Sequence, residues 1–271
     1  MQPLSIIKVG GGIVEQADAL HRLLDIFSSA ADPRILVHGG GRSATQMAAR
    51  LGIETQMVGG RRVTDDAMLR IVTMVYGGLV NKTLVAQLQR RGINALGLTG
   101  ADCDLIRSHR RPPVCTAADG TMTDYGFVGD VDRCNGTFLS ALIEQGITPV
   151  LAPLTHDGCG QMLNTNADTI ASAAAVALAQ VAEGEGRKYD VTLVYCFEKA
   201  GVLRDADDDE SVIPHINKAD FERLVADGTV QGGMIPKLQN ALAACEAGVS
   251  RVVITHADNL NCPDRGTTIT L

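Results

Sequence analysis

Lys8 ends a short apolar run and is followed at once by the cluster Gly10-Gly11-Gly12. A glycine turn that opens a helix presents unpaired backbone N–H groups and the positive end of a dipole, both suited to an anion. The lysine adds a mobile point charge at the same place. The plainer reading is a tight turn with a snorkelling side chain. His38-Gly39-Gly40-Gly41 repeats the device after a second apolar run. Gly39-x-Gly41-x-x-Ala44, with Asp65 or Asp66 further on, also satisfies the loose dinucleotide fingerprint. The same HGGG string forms oxyanion holes in esterases, but no GxSxG supplies a nucleophile here. Three more clusters carry polar or charged groups: Arg61-Arg62-Val63-Thr64, Asn164-Thr165-Asn166-Ala167-Asp168 and Gly233-Met234-Ile235-Pro236-Lys237. Singly, each has a dull explanation. Arg62 reads as a surface cation, Asn164 and Asn166 as turn residues, and Asp168 as a helix-start carboxylate. Lys237 reads as an exposed first-turn residue, although a cation there opposes the helix dipole. A Walker A sequence is absent, because Asn81-Lys82-Thr83 lacks the preceding glycine, and the protein-kinase HRD and DFG strings are absent too.

The elements that must position these residues follow from periodicity. Short β-branched runs recur at Ser5–Val9, Arg34–His38, Ile93–Leu98, Thr148–Leu154, Val191–Cys196 and Arg251–Thr255. Helical spacing lies between them: Leu20, Leu23, Leu24 and Phe27; Met68, Ile71, Val72 and Val75; Leu238, Leu242 and Cys245. This alternation predicts an α/β fold around a mainly parallel sheet buried on both faces. Cys103–Asn135 breaks the rhythm with Pro112-Pro113, Asp119-Gly120 and the alternating Tyr125–Val131, and reads as a β-hairpin lid or edge over a substrate site. The hydrophilic Glu183–Lys188 suggests a boundary between an N-terminal lobe, 1–182, and a C-terminal lobe, 183–271.

Composition narrows the function. The 271 residues carry a net charge of −7 spread along the chain, which gives no nucleic-acid face. Any anionic substrate must be held by local Lys and Arg against that field. The acidic run Asp205–Glu210 reads as a solvated loop. Seven cysteines, odd in number and without CxxC, predict reduced thiols in a cytoplasmic protein rather than zinc or a disulfide framework. The N-terminus lacks a signal-peptide pattern, and the Ala-rich Thr169–Ala182 is too short to span a bilayer, so no membrane partner is expected.

Taken as an ordered set, KVGGG at 8–12, VHGGG at 37–41, GRRVT at 60–64, NTNAD at 164–168 and GGMIPK at 232–237 resemble the amino-acid kinase family, in its branch acting on N-acylated glutamate. NKTL at 81–84 and GTTI at 266–269 fit the same pattern, so the likeness runs from Ile6 to Ile269. The resemblance implies a homodimeric three-layer α/β/α sandwich, with the acylated amino acid in the N-terminal lobe and ATP in the C-terminal lobe. It implies phosphorylation of the side-chain carboxylate of N-acetylglutamate or N-succinylglutamate, within arginine biosynthesis. By position, Lys8 and Lys237 would stabilise the transferring phosphoryl group and Asp168 would organise them. Gly40 and Gly41 would hold the substrate through backbone amides, with Arg62 and Asn164 on its α-carboxylate. Gly10 and Gly11 would face the phosphates, and Mg²⁺ would be held mainly by the nucleotide. The chemistry agrees: a carboxylate acceptor needs no general base, so positive charge and N–H dipoles around the phosphoryl oxygens suffice.

One stretch departs from the pattern. Where the family carries Thr/Ser-Asp-Val-x-Gly-Val/Ile, this chain has Cys196-Phe197-Glu198-Lys199-Ala200-Gly201-Val202. The expected aspartate is missing or replaced by Glu198, and Gly201 survives; with Thr229, Val230 and Gln231 they are the expected nucleotide neighbours. The competing readings are a kinase for another small acid such as carbamate, aspartate or glutamate, and a non-catalytic amino-acid sensor. A sensor would have no use for Lys8, Asp168 and Lys237 together. The dehydrogenase reading ranks last.

Overall fold

The computed structural model describes residues 1–115, 122–184, 186–205, 207–262 and 265–271. The apolar runs form one eight-stranded sheet. In chain order its strands are β1 (Gln2–Val9), β2 (Arg34–His38), β3 (Ala95–Leu98), β4 (Thr148–Leu151), β5 (Tyr189–Phe197), β6 (His215–Ile216), β7 (Arg251–His256) and β8 (Gly266–Ile269). Across the sheet the order is β6-β8-β7-β5-β1-β2-β4-β3. Every neighbouring pair is parallel except β7 with β8.

Helices cover both faces, and strand alternation decides which residues meet which layer. On β1, Leu4 and Ile6 point into a core shared with α6 (Gly136–Glu144), α7 (Ala167–Ala179), α8 (Lys218–Ala226) and α9 (Met234–Glu246). Ile7 and Val9 point the other way, into a core shared with α2 (Ala17–Ser29), α3 (Gly41–Arg50) and the helix that begins as α4 (Asp66–Val72). The three-layer sandwich is therefore present. Leu20, Leu23, Leu24 and Phe27 of α2 are all buried, as their spacing predicts. Burying one such side chain stabilises by roughly 1.5–3 kcal/mol. Asn217 and Asp220 form a capping box that starts α8.

The helix from Asp66 runs on through a π-helical stretch, Thr73–Val80, into α5 (Asn81–Arg90). It is long and apolar enough to cross a membrane by composition. Its Met68, Ile71, Val72, Val75, Leu84 and Leu88 are instead packed against the sheet, which makes it a core helix. The 3.6-residue spacing of Met68 to Val75 gives no hint of the π turn.

Two strand boundaries differ from expectation for physical reasons. The run Thr148–Leu154 splits at Pro153, which has no N–H for a ladder. Leu154–His156 then joins a second sheet with Met162–Asn164, Ile106–Arg110 and Gly129–Cys134. Ile93–Leu98 yields a strand only from Ala95, because Ile93 N–H still donates to Leu88 O at the end of α5. The expected hairpin excursion is present as the antiparallel pair Ile106–Arg110 and Gly129–Cys134, with a smaller pair at Val114–Cys115 and Met122–Thr123. The Asp119-Gly120 turn lies outside the described residues. Ala182–Glu183 pairs antiparallel with Gly186–Arg187 between α7 and β5, and the main sheet continues beyond them.

Candidate active site

The two glycine turns lie at the carboxyl ends of adjacent strands, the usual ligand position in an open α/β sheet. The register Val9↔His38 sets them side by side, and Gly39 N–H donates to Val9 O at 3.1 Å. The approach is tightest at Gly39, where a Cβ would stand 3.1 Å from Gly11 N, and at Gly40. A Cβ on Gly11 would stand 3.6 Å from Gly40 N and 3.7 Å from Gly41 N, and one on Gly40 would stand 2.9 Å from the Tyr76 ring. The helix opened by the first turn, α1 (Gly11–Glu15), is only five residues long, so its dipole is small. What the turns supply is peptide N–H groups. Glu15 closes part of the arrangement, accepting from Ser43 N at 2.6 Å and Ser43 Oγ at 2.8 Å in the first turn of α3.

Lys8 lies on the α7 and α9 side of β1, in register with Tyr195 of β5. Its ammonium is 2.8 Å from Asp168 Oδ1, in the first turn of α7, and the two side chains are 11% and 27% exposed. That oxygen is buried, with the Lys8 ammonium beside it. Lys237, in α9, brings a second ammonium from a different element of the fold. It lies 4.0 Å from the centre of the Phe197 ring, and Lys8 Nζ lies 5.4 Å from the same centre. Both cations therefore lie beside the same aromatic ring, with an attraction of about 0.5–1 kcal/mol each or more where water is excluded. Desolvation lowers the pKa of Lys237; Asp168 opposes this and Lys8 adds to it. Their mutual influence is what the convergence of the three groups requires.

A cavity of about 250 Å³ opens on the Lys8 side, lined among others by Gly40, Gly41, Arg62, Asn164 and Asp168. Arg62 is buried, donating to Gly41 O at 2.8 Å and Thr45 Oγ1 at 2.9 Å. No carboxylate pairs with it among the described residues, so its charge awaits an anion. Asn164 Nδ2 donates to Thr64 Oγ1 at 2.9 Å, fastening the Leu154–Asn164 hairpin to the GRRVT segment. Asn166 caps α7 by accepting from Asp168 N at 2.7 Å, which fixes the carboxylate's starting point.

A second cavity, of about 260 Å³, opens on the Lys237 side and is lined by Gly10, Gly12, Phe197, Glu198, Lys199, Gly201 and Lys237, among others. The Glu198 carboxylate fills the space where a Gly12 Cβ would stand. Val230 is buried in the core, while Thr229 N–H is tied to Asp227 Oδ1 at 2.9 Å just before α9; neither lines this cavity, nor does Gln231. Among the described residues no group of three or more His, Cys, Asp or Glu gathers as metal ligands. A larger cavity, about 510 Å³, lies between Gly129–Cys134, α7 and α9 and includes neither lysine. Its Asp132 and Arg133 are already paired with His109 and Asp104.

Phe197 and Tyr76 escaped the sequence reading. Strand parity carries the signal for the first: residues 195 and 197 fall on the same face as Lys8 once β1 and β5 are paired. Tyr76 depends on the π turn and has no such signal.

The model of the amino acid kinase family matches residues 3–256. A Bacteroides fragilis acetylglutamate kinase is 59% identical over 268 residues, covering 99% of this chain and 97% of the relative. An acetylglutamate kinase of Phocaeicola vulgatus is 60% identical over 260 residues, covering 96% of each. Among solved structures, a Streptococcus mutans protein superposes with a TM-score of 0.75 at 28% identity, covering 100% of this chain and 99% of that one.

Proposed function

The chain belongs to the amino acid kinase family, and on that premise we propose that it transfers the γ-phosphoryl group of ATP to the side-chain carboxylate of N-acetylglutamate, yielding the acyl phosphate used in arginine biosynthesis. The observation that carries this reading is the meeting of Lys8, Asp168 and Lys237 between two cavities.

The acylated amino acid occupies the cavity beside Lys8, its α-carboxylate on the buried Arg62 guanidinium and Asn164. Arg62 suits that task because its planar fork binds a carboxylate through two hydrogen bonds. ATP occupies the cavity beside Lys237, against Gly10, Glu198 and Gly201, with Gly11 and the segment Thr229, Val230, Gln231 outside its lining. The reacting phosphoryl group then lies between the lysines. The acceptor is ionised at neutral pH and needs no base. Its attack on phosphorus breaks the bond to the β-phosphate oxygen, and the charge spreads over three equatorial oxygens. Lys8 meets that charge from the acceptor side and Lys237 from the donor side, while N–H groups of Gly11, Gly40 and Gly41 are free to add dipoles. Asp168 keeps both ammonium groups aimed inward. Mg²⁺ carried by the nucleotide phosphates would offset their charge.

The same reading assigns acyl-substrate binding to residues 1–182 and nucleotide binding to 183–271, and a cytoplasmic homodimer to the whole. For the dimer the support is exposed apolar surface and an edge strand: Met74, Leu79 and Leu96 are each more than a third exposed, and among the described residues β3 has a partner on one side only.

The test is ADP release with N-acetylglutamate, N-succinylglutamate and free glutamate compared side by side. Rapid turnover of an acylated substrate and little with free glutamate is the expected pattern. Equal turnover of free glutamate would remove the acyl pocket from the account.

A further inference from the structure

His38 and Asn81 stand in two of the motifs, yet nothing in the reaction above uses them. Both are buried, at 0% and 1% exposure. His38 Nδ1 lies 2.7 Å from Gly39 O, and its Nε2 lies 3.1 Å from Asn81 Nδ2. A carbonyl oxygen can only accept, so Nδ1 carries the proton and Nε2 accepts from the Asn81 amide. The other amide hydrogen of Asn81 goes to Val150 O at 2.9 Å. Turning the amide over would set its oxygen against that carbonyl, so the chain of donors has one orientation. Burial is consistent with it, holding the imidazole neutral by pushing its pKa down to about 4.

The consequence lies in the peptide that the histidine grips. In a planar trans peptide the C=O and the following N–H point in opposite directions. With Gly39 O drawn towards His38, Gly40 N–H must face the other way. Gly40 and Gly41 line the Lys8 cavity, and their nitrogens stand 3.6 and 3.7 Å from where a Gly11 Cβ would be. A glycine peptide has no side chain to hold its plane, so an external lock is needed where orientation matters. The π-helical stretch delivers that lock. It places Tyr76 under Gly40 and ends where Asn81 turns inward to His38.

We propose that His38 and Asn81 are positioning residues for phosphoryl transfer: together they fix the Gly39–Gly40 peptide plane so that Gly40 N–H is aimed at the transferring group beside Lys8. This rests on the reaction assigned above. The pair touches neither substrate, so its loss lowers kcat through misdirected N–H dipoles and leaves nucleotide binding alone.

The experiment compares His38→Leu, His38→Asn and Asn81→Ala in the full-length enzyme, with kcat and both KM values measured alongside thermal unfolding. Asn at position 38 can still donate to Gly39 O from near the Nδ1 position; Leu cannot. His38→Leu should lower kcat by about 10-fold to 10²-fold, the lower part of the range for losing an oriented donor. KM for ATP should stay within about threefold, and His38→Asn should recover most of the loss. Equal kcat in the Leu and Asn variants would overturn the proposal. As a check free of variants, ¹⁵N NMR of the histidine ring at neutral pH should show protonated Nδ1 and bare Nε2; the opposite tautomer would also overturn it. If the unmodified enzyme turned over none of the acylglutamates, the reaction assignment would fall, and the ring nitrogens would still report on the lock.

Discussion

At Lys237 burial and two neighbours act together. Desolvation and the nearby Lys8 favour the neutral amine, and Asp168 favours the ammonium. The net result in the free enzyme is a pKa below the ordinary lysine value. A phosphate brought alongside adds negative charge and pushes the pKa back up. The sign then follows. The ammonium is the active form, so activity falls as pH rises through the Lys237 pKa, and it falls earlier in the free enzyme than in the substrate complex. The alkaline limb of kcat/KM should therefore lie at lower pH than that of kcat, since the two report the free and bound enzyme respectively. Coincident limbs would remove Lys237 from contact with the phosphates. Replacing either lysine by alanine should reduce kcat by roughly 10²-fold or more, the scale for losing one stabiliser of transition-state charge.

The elements explain why so few residues can be changed without cost. Gly40 is wedged between the first glycine turn and Tyr76, so Gly40→Ala puts a methyl group 2.9 Å from the ring. Either Tyr76 shifts within the core or the turn backs away from Lys8. Turnover of Gly40→Ala should fall by at least about tenfold, the penalty expected when an oriented N–H donor is displaced, and trimming the ring in Gly40→Ala/Tyr76→Leu should restore part of it. A single alanine variant with full activity would show that the close approach has no role. Both glycine turns and the strands before them could be read from the sequence, because Gly clusters after β-branched runs have few other uses. The π stretch could not, since one turn of wider helix leaves apolar spacing almost unchanged. Nor could the second sheet, whose strand Leu154–His156 follows the break at Ala152-Pro153 after β4.

Across the whole molecule, the net charge of −7 means that anions are drawn in by the local field of Lys8, Arg62 and Lys237 and by nothing larger. The layers, the parallel sheet and the order of motifs were legible, because each strand's alternation already divides the two cores. How far apart the lysines stand was not, since β1 and α9 are more than 200 residues apart in sequence and are united by the pairing of β1 with β5 and by α7, which packs against both. The other long-range question is assembly. The β3 edge with Met74, Leu79 and Leu96 should bury itself against a second copy, so sedimentation should give a dimer and Leu79→Glu should shift it towards monomer; an unmodified protein that sediments as a monomer would exclude this edge. Phosphoryl transfer in this molecule depends on one gap between two cations. Its most direct measurement is a crystal structure with ADP, N-acetylglutamate and a planar aluminium fluoride in place of the moving phosphoryl group. Both ammonium groups, with the Gly11 and Gly40 amides, should lie within hydrogen-bonding distance of the fluorides. A fluoride group bound away from Lys8 or Lys237 would contradict it.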